Sequence, residues 1–131
     1  MSLFEVKEEH LETGLRGIPV GYCVTSKVDP EKGLFYHGEP ISKLASWEPE
    51  RVLFLLYHKH DPSEAELVAF KADLQKRSFC HPEAIEHINA LPRVGHPMAL
   101  VSAAILILAM YEQKNDWKED CLNLSAKIPV I

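Results

Sequence analysis

The chain has 131 residues, 47% of them hydrophobic and 25% charged, which is the composition of an ordinary globular domain long enough to bury a core. A net charge of -5 with no run of Lys or Arg removes the electrostatic reason to expect nucleic acid or an anionic membrane as a partner. Cys23, Cys80 and Cys121 lie far apart without a CxxC pair, so neither a disulfide framework nor a zinc cluster is indicated, and free thiols point to a reducing, cytoplasmic compartment.

MSLFEVKEEH carries acidic residues where a signal peptide needs a basic region, and no later segment resembles a targeting sequence. From residue 3 to 35, Gly14, Gly17, Gly21 and Gly33 are set among β-branched residues. Ile18 to Ser26 reads as a strand. "VDPEKG" at 28 to 33 opens a turn with Asp-Pro and closes it with Gly33, and "LFYHG" returns as a second strand. A small β-rich arm over residues 1–38 is expected, with "DPEK" a solvated turn rather than a ligand loop.

After Gly38 the apolar period changes to about 3.6, predicting helices over residues 39–131. A short helix at Ile41 to Ala45 leads to "EPERVLFLLYHK", where Val52, Leu53, Leu55, Leu56 and Lys59 cover more than one face. In "DPSEAELVAFKADLQKR", Asp61 or Ser63 can cap the start, Pro62 fits the first turn, and Glu64 or Glu66 can reach back to a free N-H. Leu67, Phe70 and Leu74 form its buried stripe, and Asp73 and Arg77 are spaced for a weak exposed ion pair. A fourth helix is expected from Pro82 to Leu91. The fifth runs from Pro97 to Tyr111, and the sixth starts at Asp116, which with Glu119 spells a capping box. Trp47 and Trp117 read as packing residues at helix starts.

The fifth segment, "HPMALVSAAILILAMYE", is the most apolar stretch of the chain. Its helix spans about 22 Å at 1.5 Å per residue, short of the roughly 20 residues that cross a hydrocarbon core. A helix apolar all round must be enclosed by protein. Ser102, Ala103 and Ala104 let another helix approach closely, so a second chain, or a missing part of this one, is a reasonable neighbour. The end of the chain, "LSAKIPVI", has no Gly or Asn cap and no polar tail, and reads as a C-terminal truncation.

"LRGIPVGYCVTSKVDPEKGLFYHGEPISKLA", "VLFLLYHKHDPSEAELVAFKADL", "ALPRVGHPMALVSAAILIL" and "WKEDCLNLSAKIPVI" resemble, in order and spacing, the N-terminal portion of citrate synthases and the related 2-methylcitrate synthases. The specific elements are the Asp-x-Glu-Lys-Gly turn before a Tyr-x-Gly strand, Leu-Pro-x-x-x-His-Pro-Met at 91 to 98, and the closing Ala-Lys-Ile-Pro. His37 stands where the family usually has Arg in Tyr-Arg-Gly. The resemblance implies a mainly α fold, a small N-terminal β-hairpin followed by about six helices, forming the N-terminal part of a large domain. It implies a homodimer through the helix at 97–111, with Met98, Val101, Ala104, Ile105 and Leu108 as the subunit-interface residues.

The resemblance also implies a tricarboxylic acid cycle chemistry. Acetyl-CoA or propionyl-CoA is deprotonated, and the enol attacks oxaloacetate before the thioester is hydrolysed. A carboxylate base and neutral donors to the enol and ketone oxygens are needed. The family's His-Gly-Gly-Ala-Asn-type, Gly-x-Gly-His and Asn-x-Asp motifs, which carry them, do not occur in residues 1–131. No catalytic, cofactor-binding or metal residue is carried over, and coenzyme A enters only as the thioester substrate of the full-length family.

Seven histidines do not suggest another site. On a helix His58 and His60 lie about 200° apart, and His81 and His87 are no better placed for a metal. His96 reads as the cap of the fifth helix or as bonded to a neighbouring loop, with a place on the rim of a substrate cleft as its functional alternative. Cys80 beside His81 suggests a nucleophile and base only superficially, since neighbouring residues rarely align for proton transfer. Two readings stand: the N-terminal part of a citrate-synthase-type acyltransferase, inactive alone, or a free-standing, non-catalytic dimerisation module with the same fold.

Overall fold

The computed structural model describes residues 5–13, 16 and 21–131. Its first element breaks the zone expected to be extended. A one-and-a-half-turn helix, α1 (Glu8–Thr13), starts where the Lys7 N-H donates to His10 Nδ1 at 2.8 Å, and Glu8 and Glu9 sit in its first turn, where free N-H groups favour negative charge.

The expected strand from Ile18 is also later and shorter. Residues 18–20 lie outside the described residues, Gly21 to Thr25 are not in a strand, and β1 is Ser26–Asp29. Asp29 shapes the turn at its end: Oδ1 accepts the N-H groups of Glu31 at 3.1 Å and Lys32 at 3.0 Å, which holds the Asp29 carboxyl below the usual range. Gly33, at φ +88, then leads the chain into β2 (Gly33–Tyr36), which pairs antiparallel with β1 from Ser26 opposite Tyr36 to Asp29 opposite Gly33.

A second turn is not signalled by the sequence. His37 and Gly38 both have positive φ, 47° and 85°, as a two-residue type I′ turn requires, and they return the chain into β3 (Glu39–Pro40) beside β2. The sheet therefore has three strands in the order β1-β2-β3 rather than a single hairpin.

Six helices come after the sheet. The first is α2 (Ile41–Leu44), which buries Leu44; α3 (Pro49–His58) buries Phe54 and Leu55, while Val52, Leu53 and Leu56 are half-buried. Lys59 is not on a helical face as expected. It adopts the left-handed conformation, φ 67°, and ends α3 by donating its N-H to the Leu55 carbonyl. Trp47 does pack: the Arg51 guanidinium lies 4.5 Å from its ring centroid while forking onto Asp61 at 2.8 and 3.0 Å.

The chain divides into two compact units, Met1–Asp61 and Pro62–Ile131, so α2 and α3 belong with the β-rich arm. In the second unit α4 (Glu64–Arg77) is capped by Ser63, not Asp61, in a complete capping box: Ser63 Oγ accepts from the Glu66 N-H and Glu66 Oε2 accepts from the Ser63 N-H. Pro62 precedes the cap rather than standing in the first turn. It and Leu67 are both buried at the two positions of a hydrophobic staple. Leu67 and Phe70 are buried as expected; Leu74 is half-buried.

The remaining helices are α5 (Pro82–Asn89), α6 (Pro97–Glu112) and α7 (Trp117–Lys127), with α4 packed on α7 and α5 on α6. Besides Pro62, the buried apolar residues of this unit are Leu67, Phe70, Ala84, Ala104, Leu108 and Leu122. At the start of α7, Asp116 Oδ1 accepts from the N-H groups of Lys118 and Glu119, but the expected capping box is not completed, because the Glu119 carboxylate is turned onto Arg77. Trp117 is 74% exposed and is not a packing residue: it shares the outer face of α7 with exposed Cys121, four residues on. No helix among the described residues is long and apolar enough to cross a membrane.

Candidate functional site

The candidate site is built on α6. His96 caps it, its Nδ1 accepting the Met98 N-H at 3.2 Å, while Pro97 occupies a first turn where no backbone donor is missed. The interface residues expected on this helix do not share one environment. Ala104 and Leu108 are buried within the chain at 5% and 4% exposure, and Ile105 is half-buried, whereas Val101 stands at the margin of exposure and Met98 is open. On the opposite side Met98, Leu106 and Met110 are 61%, 64% and 83% exposed, with Ser102 and Ala109 between them. Ser102 Oγ donates to the Met98 carbonyl at 2.8 Å, so even the hydroxyl of this strip is turned onto its own helix.

The inner end of α6 is fixed by charge. Glu112, its last residue, accepts the His81 N-H through Oε1 at 2.6 Å and pairs through Oε2 with Lys127 Nζ at 2.7 Å. Lys127, 7% exposed, also donates to the Phe79 carbonyl. One ion pair thus grips the backbone on both sides of Cys80 and ties the ends of α6 and α7 to the linker before α5. Cys80 donates to the Ser78 carbonyl at 3.6 Å, and burial pushes its thiol up, the reverse of an activated nucleophile. The His81 ring stacks on Tyr111 with centroids 5.1 Å apart.

A second node joins α4 to α7. The expected exposed pair, Asp73 with Arg77, is one edge of a network in which the half-buried guanidinium donates to Asp73 at 2.6 Å, Glu119 at 2.7 Å and Asn123 at 2.8 Å. Glu119 first, then Asp73, push the Arg77 pKa further up. The sequence showed only the i, i+4 partner, because the others lie 42 and 46 residues away.

The histidines are dispersed. Because α3 ends at His58, the helical angle to His60 does not apply; their rings lie 6.4 Å apart beside Phe54. His87 Nδ1 lies 2.8 Å from the Glu83 carbonyl and 3.1 Å from the Tyr111 hydroxyl. The His37 Nε2 is buried without a hydrogen-bond partner among the described residues. Among the described residues no group of three His, Cys, Asp or Glu is placed to hold a metal ion. Exposed Cys23 differs from Cys80: hydrogen bonds with Ser26 and Thr25 lower its thiol pKa to about 6.

A short three-stranded sheet followed by six helices, with an all-apolar helix opened by His-Pro-Met, defines a mainly α chain. The chain belongs to the citrate synthase family, whose model described as "Citrate synthase, C-terminal domain" matches residues 14–131. It is similar to the mitochondrial citrate synthase of Saccharomyces cerevisiae, with 33% identity over 97% of this chain and 32% of that protein. It is also similar to a mitochondrial 2-methylcitrate synthase of Aspergillus fumigatus, with 30% identity over 95% of this chain and 32% of that one. Among solved structures, the citrate synthase of Pyrobaculum aerophilum superposes with a TM-score of 0.74 at 26% identity, over 89% of this chain and 33% of that chain. That of Thermotoga maritima shares the fold, with a TM-score of 0.77 at 21% identity, over 91% of this chain and 32% of that chain. The chain therefore spans about a third of the length of these relatives.

Proposed function

We propose that this chain is the N-terminal portion of a citrate-synthase-type acyltransferase that condenses acetyl-CoA or propionyl-CoA with oxaloacetate, and that it supplies scaffold and subunit contact rather than catalytic groups. The observation that carries this reading is the family match over residues 14–131, whose motifs stand in the family's order, in a chain spanning about a third of its relatives. None of the family's His and Asp catalytic motifs is in the sequence. A mixture of this chain with oxaloacetate and acetyl-CoA or propionyl-CoA is expected to release no thiol; turnover above the blank would overturn the assignment. In the reading frame, continuation into those motifs supports it, whereas a natural stop with no such frame nearby favours the free-standing module.

The same reading gives α6 a partner, a second copy of the chain. The exposure pattern supports Met98, Ser102, Leu106 and Ala109 as the contacting strip, with Val101 and Ile105 at its edge and Ala104 and Leu108 supporting it from within. Light scattering after size exclusion tests it, and a strict monomer at high concentration would refute it. A cytoplasmic location rests on the free thiols alone; the names of similar proteins include mitochondrial and peroxisomal forms. Fluorescent tagging of the native gene product decides between them.

A further inference from the structure

A cleft of about 590 Å³ lies where the ends of α4 and α6 meet one face of α7, away from the exposed strip of α6. Four of its lining side chains are cationic, Lys76, Arg77, Lys114 and Lys127, against two carboxylates, Glu112 and Glu119, in a chain whose net charge is -5. Both carboxylates already have partners, Glu112 in Lys127 and Glu119 in Arg77. Asp73 holds Arg77 from the α4 side.

Two features of the cleft call for a ligand. Arg77 uses Nε and Nη1 in its three hydrogen bonds, and among the described residues Nη2 has no acceptor, which leaves two N-H donors of a half-buried guanidinium in a cleft that Lys76 and Lys114 also line. Phe79, which also lines the cleft, is 81% exposed, and Tyr111 is a second aromatic lining residue. An exposed aromatic face beside Lys76 and Lys114, which have no ion pair among the described residues, suits a molecule that is planar at one end and anionic at the other.

We propose that this cleft binds a small aromatic oxyanion carrying two negative charges, its phosphoryl or carboxylate oxygens held by Lys76, Lys114 and the free edge of Arg77 and its ring lying on Phe79. The site needs nothing from the catalytic motifs absent here and stands whether or not the acyltransferase reading does. Dianionic oxyanions are recognised alike whether phosphate or dicarboxylate, so the probes must separate the two.

The test is calorimetric titration of the whole chain at low salt with phenyl phosphate, with phthalate and with inorganic phosphate. Binding of either aromatic probe, tighter than inorganic phosphate by about tenfold and weakened as salt rises, is expected, and the tighter of the two names the oxyanion. Lys76→Glu with Lys114→Glu should lower that affinity at least tenfold with an unchanged melting temperature, and Phe79→Ala should bring the aromatic probe down to the inorganic one. No binding of either aromatic probe at millimolar concentration, or binding that the lysine variant leaves intact, would overturn the proposal. So would an aromatic probe that binds no tighter than phosphate.

Discussion

The two faces of α6 are made of the same residue types and have opposite fates. Ala104 and Leu108 are buried, while Leu106 and Met110, two residues further along from each, stand in the open. Composition does not distinguish them, since the helix is apolar all round; what does is its end. Glu112 is drawn inward by Lys127 and the His81 N-H, and that anchor together with the packing on α5 sets the rotation of the whole helix. Polar contacts here choose which apolar face becomes core.

The contrast is most severely tested by charge placed on the inner face. Ala104→Glu buries a carboxylate with no partner, a cost of several kcal/mol against a total stability of about 5–15 kcal/mol, so the second unit should lose its fold. Circular dichroism melting reads this. A folded variant with an unchanged transition, altered only in oligomeric state, would move Ala104 from the core to the interface.

Next comes the anchor itself. Lys127→Ala leaves Glu112 with the His81 N-H alone in a largely buried place and should cost about 3–5 kcal/mol, because breaking one partner of a buried pair strands the other charge. Adding Glu112→Gln should restore part of that loss. Chemical denaturation of both variants measures the coupling, and simple additivity would show that the pair does not act as a unit.

This anchor also marks where the sequence was legible and where it was not. Local rules read correctly wherever the partner lay within a few residues: the Ser63 capping box, the Asp29 turn, the His96 cap. They failed where a distant group competed, as when Arg77 took the Glu119 carboxylate away from its own helix start, or where α3 ended on a left-handed lysine that no glycine announced. The β3 strand was missed because His37 fills a positive-φ position usually given to Gly or Asn. The α6 surface was legible as a place that must be covered. Which of its residues would face outward was not, because a uniformly apolar helix has no polar side to orient it.

Truncation sharpens the same contrast at lower cost. Leu108→Ala should destabilise by about 2–5 kcal/mol, and Leu106→Ala, with equal chemistry two residues earlier, by about 0.5 kcal/mol or less. Paired urea titrations decide it, and equal losses would mean that α6 is rotated from the position described. Leu106→Glu should likewise leave the melting transition in place while dissociating any dimer seen by light scattering.

The smallest effect carries the inside-outside contrast to the thiols and perturbs no packing at all. Cys23 is exposed and its thiol is pulled down to about 6 by the Ser26 and Thr25 hydroxyls; Cys80 is part-buried, and desolvation pushes its thiol above the ordinary value. The thiolate is the species that reacts, so at pH 7 Cys23 should be mostly ionised and Cys80 almost wholly protonated. Iodoacetamide labelling followed by peptide mass spectrometry should therefore show Cys23 modified with a midpoint at about pH 6, while Cys80 is labelled only at a higher pH than an ordinary thiol. Thr25→Ala with Ser26→Ala removes the hydrogen bonds that favour the anion, so the Cys23 midpoint must rise toward that of an ordinary thiol. A Cys23 profile that does not move would show that the hydroxyls do not set its acidity. Labelling of Cys80 at neutral pH would show that the Glu112–Lys127 clamp around it opens in solution.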